Sequence, residues 1–95
     1  LDAFKSRIAD NLIESLLKYA TLLDEHEAFD TKLLISDIIF RFDSVNEAAL
    51  RLKCATYVFM RKQYMAKTTY EHFCREYKSL YDEPFEHSFN SIISQ

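Results

Sequence analysis

The residues in this chain with most scope for chemistry are Cys54, Cys74, His26, His72 and His87. A nucleophilic reading would pair Cys74 with His72 or with a distant histidine, the imidazole drawing off the thiol proton. Cys74 has neither a glycine-strained elbow nor a helix N-terminus to lower its pKa, so a buried structural thiol is expected. A metal site would need ligands on one face of an element. No histidine stands i, i+4 from another His or a Cys, and His72 and Cys74, two apart, face different sides of a helix. Asp24, Glu25 and Glu27 gather negative charge without the regular spacing of a calcium loop, and they read as a solvated turn. The aromatic series Tyr57, Phe59, Tyr64, Tyr70, Phe73, Tyr77 and Tyr81 would make a stacking surface for a ligand. At helical spacing such a stripe more often fills a core. The expectation is no catalytic residue, no cofactor, no metal and no enzyme.

Composition sets the frame for these residues. Ninety-five residues make one domain, and 48% hydrophobic with 28% charged residues belongs to a globular chain. There is no glycine and a single proline. Sheets with tight turns need glycine where φ is positive, and phosphate-cradling loops need it too. Long helices with short connections do not. The net charge of −3 comes from 12 basic and 15 acidic residues, and Arg61, Lys62 and Lys67 are too sparse for a phosphate-binding stripe. No direct contact of this segment with nucleic acid is expected. There is no signal peptide and no apolar run long enough to span a membrane. Two cysteines make no disulfide framework, so a reducing cytoplasm is the expected compartment. The chain opens at Leu1 without an initiator methionine, and a piece of a larger protein is expected.

Hydrophobic periodicity predicts five helices. The first covers about Asp2–Glu25, with Phe4, Ile8, Leu12, Leu16, Ala20 and Leu23 on one face and Ile13, Leu17 and Tyr19 widening it. The second covers about Ala28–Arg41, with Phe29, Leu33, Leu34, Ile38 and Ile39 inward. Ser44 and Glu47 have the spacing of a capping box, which starts a third helix running to about Met60. The fourth covers about Tyr64–Tyr81. Pro84 suits the first turn of a closing helix, about 85–93, with Phe85, Phe89, Ile92 and Ile93 on its apolar face.

A shift of 34 residues brings Leu16 onto Leu50, Ala20 onto Cys54, Leu23 onto Tyr57 and Ile39 onto Phe73. That is the period of the tetratricopeptide repeat, in which small residues let two antiparallel helices approach closely. The second repeat, about 47–81, follows the scheme with Leu50, Cys54, Tyr57, Ala66 and Tyr70. The first, about 13–46, offers Leu16, Ala20, Leu23 and Phe29, but Lys32 falls where the small residue of its second helix belongs. The glycine usual at the inter-helix turn is missing from both, and an ordinary four- or five-helix bundle would show such departures. The fold expected is all-α and tetratricopeptide-like, with two antiparallel hairpins and a closing helix.

The run Asp43-Ser44-Val45-Asn46-Glu47-Ala48-Ala49-Leu50-Arg51-Leu52 resembles the D-P-x-N/D-E-A-A-L-R-L stretch of the bacterial transcriptional activator domain of SARP-type regulators. Ala66, with Tyr70-Glu71-His72-Phe73, is similar to that family's A-L-x-x-Y-x-x-F/L helix. The segment from Leu80 through Glu83-Pro84 and Phe89 to Ile92-Ile93 is similar to its closing segment. Leu1-Asp2-Ala3, Arg7 and Leu12 resemble its opening helix. Ser44 stands where the family has proline, and the family's glycines after Met60 and near Leu80 are absent. The resemblance covers nearly the whole chain. It implies a tetratricopeptide-like regulatory domain beside a winged-helix DNA-binding domain, serving dimerisation or contacts with the transcription machinery.

On the third helix, Leu50, Cys54, Tyr57 and Val58 take the buried side. Leu52, Ala55, Val58 and Phe59 point partly elsewhere and are the candidate interaction face, to be covered by a partner protein, a second copy or the closing helix itself. Two functions fit: an interaction domain of a transcription regulator, or a peptide-binding adaptor unconnected with transcription. A small ligand-sensing domain built on an aromatic pocket is a third.

Overall fold

The computed structural model of the chain describes residues 2–94, with side chains from residue 6 onward. Five α-helices follow one another: α1 (Asp2–Thr21), α2 (Phe29–Phe42), α3 (Glu47–Phe59), α4 (Gln63–Tyr81) and α5 (Phe89–Ile93). No strand occurs among the described residues. Sequence neighbours are spatial neighbours: α1 packs on α2, α2 on α3, α3 on α4, and α5 returns to α3. The result is a slab of 43 × 33 × 17 Å. So thin a body has no single deep centre, and its buried apolar residues divide into two clusters.

Ile13, Ala20, Ile35, Ile39 and Ala49 form the cluster between α1, α2 and α3. Leu50, Cys54, Ala66, Phe73, Phe89 and Ile92 form the cluster between α3, α4 and α5. Phe40 packs against both. Ala49 and Leu50 are adjacent, both at 0% exposure, and face opposite clusters. Thus α3 is the partition of the slab. Fully burying a side chain such as Leu50 or Ile39 stabilises the fold by roughly 1.5–3 kcal/mol.

Several boundaries differ from expectation for local reasons. α1 stops at Thr21, four residues before Glu25. Leu22 and Leu23 bond back to Tyr19 O and Ala20 O, three residues away, and Asp24 Oδ1 accepts the His26 N–H at 2.8 Å. This tight turn unwinds the chain before the acidic patch. The apolar face of α1 is only partly used. Ile13 and Ala20 are buried, while Ile8, Leu12 and Tyr19 are exposed, because α2 cannot cover so wide a stripe. The side chain of Phe4, like the whole of Leu1, lies outside the described residues. On α2, Leu34 is exposed, and Ile35 and Ser36 take the inward positions.

The capping box at Ser44 does not form. Asn46 is the N-cap of α3, its side chain accepting the Ala49 N–H at 2.9 Å, and Asp43 accepts from Val45 N and from Asn46 Nδ2. With the start two residues later, Glu47 is the first helical residue and pairs forward with Arg51 at 2.9 Å. An amide cap with a carboxylate brace satisfies the free N–H groups that Ser44 and Glu47 were expected to share.

The closing helix is shorter than the expected 85–93. Residues 83–88 form a non-helical strap with bends at Glu83 and His87, Ser88 caps α5 by accepting from Ser91 N at 3.1 Å, and Pro84 sits in the strap rather than in a helical turn. Phe85 packs onto α4 instead of joining the closing helix. Its ring lies 4.8 Å from that of Phe73 and 5.2 Å from that of Tyr77, contacts that draw it onto α4.

Candidate functional site: a groove between α1 and α3

Two open grooves flank α3. The first, about 540 Å³, runs between the C-terminal half of α1 and the length of α3. Leu17 and Ala20 come from α1, and Leu23 from the turn that follows it. From α3 come Ala48, Leu52 and Ala55, then Thr56 and Phe59. These α3 positions recur at i, i+3, i+4 and i+7, which puts them in one line along the helix. The residues expected as an interaction face divide here. Leu52, Ala55 and Phe59 line the groove, whereas Val58 packs with the α3–α4–α5 cluster. Val58 stands four residues from Cys54 and shares its face, a spacing visible in the sequence.

Ala48 and Thr56 were not among the expected face, although each lies four residues from Leu52. Thr56 is 2% exposed, and its hydroxyl donates to Leu52 O at 2.7 Å, so it presents mainly its methyl-bearing side. Phe59 ends the groove, its ring edge-on to His26 at 5.1 Å. Lys32 and Glu25 are the charged residues of the lining. Glu25 is exposed, while Lys32 is only 6% exposed.

The residues expected to pack the repeats are brought together as two sets. Ala20 is buried in the first cluster, with Leu16 and Leu23 packed against it. Leu50, Cys54 and Ala66 are buried in the second, with Tyr57 and Tyr70 against them. Phe29 is half-buried and sits under the Lys32 ammonium at 5.8 Å.

A second groove, about 680 Å³, opens between α2, α3 and α4, where Lys53 pairs with Asp37 at 2.9 Å beside Phe40, Tyr57, His72 and Glu76. Tyr57, Tyr64 and Phe73 of the aromatic series line it, while Asp37, Lys53 and Glu76 were not among the expected site residues.

Burial pushes the Cys54 thiol up to about 12 against the smaller opposing pull of Lys53, and Cys54 Sγ donates to Ala66 O at 3.5 Å. Tyr70 is raised to about 12 by desolvation, then by its hydrogen bond with Cys74 and the Cys74 charge. Tyr77 is raised by desolvation and by the charges of Glu83, Glu86, Tyr81 and Glu47. His26, His72 and His87 are apart, and among the described residues no three His, Cys, Asp or Glu side chains converge on a possible metal position. No described helix is long and apolar enough to cross a membrane. Compared with protein-family models, with curated proteins and with solved structures, the chain matches none of them.

Proposed function

We propose that this chain is a non-enzymatic interaction domain, a tetratricopeptide-like pair of helical hairpins belonging to a cytoplasmic bacterial transcription regulator and adjoining its DNA-binding domain. The observation that carries the interaction role is the α1–α3 groove: an open apolar channel whose lining alternates small and large side chains. A concave, mainly apolar cleft of about 540 Å³ is the kind of surface that a partner's side chains fill. The repeat reading is supported by burial at the 34-residue interval, where Ala20 and Cys54, Lys32 and Ala66, and Ile39 and Phe73 are buried pair by pair. The link to transcription rests on the Asp43–Leu52 run and the motifs that follow it. An adaptor unconnected with transcription would use the same groove and is the second reading.

The sequence immediately preceding this segment in the full-length protein separates the two. A winged helix there is the expected result, and any other kind of domain would leave the adaptor. For the interaction role itself, Ala55→Arg fills the groove from a half-buried position that belongs to neither buried cluster. It should abolish partner binding while leaving the melting temperature close to that of the parent chain. Unchanged binding would remove the groove from the proposal.

A further inference from the structure

Lys32 is the residue of the repeat that the packing scheme leaves unexplained. Its counterpart 34 positions on, Ala66, is a fully buried methyl group, whereas Lys32 is a lysine of which only 6% of the whole residue is exposed, its ammonium bonded to Asp24 O in a part-buried position. Lysine is rarely buried to this extent without an anionic partner. Nζ donates to the carbonyl of Asp24 and lies over the Phe29 ring. Among the described residues, no carboxylate lies within 4 Å of it: neither Asp24, Glu25 and Glu27 in the preceding turn nor Asp30 on the same helix forms an ion pair with it. An ammonium has three donors, and one carbonyl and one ring are a small return for its lost hydration. Its position in the first turn of α2, at the positive end of the helix dipole, adds a further unfavourable charge contact. The same residue forms part of the wall of the α1–α3 groove, which is otherwise lined mainly by Leu, Ala, Thr and Phe side chains.

From this placement we infer that the groove takes an apolar peptide segment bearing a carboxylate, its large side chains lying along Leu17, Leu52 and Phe59 and its carboxylate meeting Lys32. The inference rests on the interaction reading above and specifies the partner's chemistry. A carboxylate supplies what the ammonium lacks, a charge-assisted acceptor. The apolar wall supplies affinity, and the single cation supplies selection between an acidic residue and its neutral isostere. Glu25, exposed at the same groove, gives like-charge opposition to the incoming group.

The test is a selection of displayed random linear peptides on the whole chain, followed by synthesis of the most enriched peptide with each carboxylate kept or replaced by its amide. Enriched peptides should combine Leu or Phe with an Asp or Glu. The amide form should bind the parent chain on the order of tenfold more weakly, the scale of a hydrogen bond to a charged group. Lys32→Met should produce the same loss for the acidic peptide and none for the amide, and Lys32→Arg should retain most of the affinity. Glu25→Gln should tighten the acidic peptide. The comparison of peptides on the parent chain stands even where Lys32→Met folds poorly. Equal binding of acid and amide, with Ala55→Arg still abolishing both, would overturn the role of Lys32 and leave the groove as a docking face. Peptides that bind Ala55→Arg undiminished, or a selection without enrichment, would overturn both.

Discussion

The Tyr70 hydroxyl donates a 2.6 Å hydrogen bond to the backbone carbonyl of His87, tying the strap before α5 to the middle of α4. The bond joins residues 17 apart in sequence and holds the chain just ahead of the Ser88 cap. Around it, the Tyr70 ring packs against Phe89 at 5.6 Å, so one side chain fixes both strap and helix. Tyr70→Phe keeps the ring and removes the bond, leaving a partly buried carbonyl without its donor. The expected cost is about 1–2 kcal/mol in urea unfolding, with faster amide exchange confined to α5. Uniformly unchanged exchange in α5 would show that the ring alone secures it.

Alkaline pH should destabilise the fold. Cys54 loses its proton near 9.0 in the unfolded chain and near 12 when folded, and Tyr70 near 10.0 and 12. Between those limits the folded state binds more protons than the unfolded state, so stability falls as pH rises. The contribution is complete below about pH 9 and declines upward from there. Denaturation midpoints measured from pH 8 to 11 should fall from about pH 9, and Cys54→Ala should delay the onset to about pH 10. A flat profile in the parent chain would mean that the thiol ionises freely.

Among the described residues, three positions with positive φ are filled without glycine: Ala28 at 57°, Arg61 at 61° and Asp82 at 55°. Arg61 closes α3 in a Schellman arrangement, with Lys62 N bonding to Tyr57 O at 2.8 Å and Arg61 N to Val58 O at 3.0 Å. A side chain in this region costs roughly 1–2 kcal/mol, part of which glycine recovers and part of which its unfolded-state freedom offsets. Arg61→Gly should therefore raise stability by about 0.5–1 kcal/mol. The measurement is the urea midpoint at constant slope, and a decrease would assign Arg61 a contact that outweighs its backbone strain.

These turns mark the limit of what patterning reveals. The number of helices, their order and the burial of Ala20, Leu50, Cys54, Ala66 and Phe73 follow from spacing, because an i, i+3, i+4 pattern specifies one face of a helix. Turn geometry does not follow. A glycine-free chain places alanine, arginine and aspartate where composition offers no signal, and the cap passes from Ser44 to Asn46 through side-chain bonds of Asp43. The groove was half legible. Leu52, Ala55 and Phe59 stand in helical register, but Lys32 joins them only because the α1–α2 turn folds back over α2.

Ala66 carries the close approach of α3 and α4. It is fully buried among Leu50, Cys54 and Phe73, and its carbonyl accepts from Cys54 Sγ. Ala66→Leu should cost roughly 1–3 kcal/mol through overpacking. An unchanged melting temperature would show that the two helices separate without penalty.

Phe89 is the strongest test of the closing element. α5 has five residues, too few to persist as an isolated helix, so its order must come from what it covers. Phe89 is 8% exposed and Ile92 2%, both in the cluster with Leu50, Cys54, Ala66 and Phe73. Polar contacts add little by comparison: Arg51 Nη1 reaches Ser91 O at 3.5 Å, and the half-exposed His87 lies 3.5 Å from Glu47. Exposed pairs of that kind contribute about 1 kcal/mol or less. Lys67 Nζ stands 5.0 Å from the Phe89 ring and covers its outer face. Phe89→Ala should therefore cost roughly 3 kcal/mol or more, and Lys67→Ala much less. Removing residues 85–95 should uncover the second cluster and give a loosened or aggregating chain, read by dye binding and by size. A well-folded monomer from that truncation would show that α3 and α4 close their cluster unaided and that α5 serves another surface.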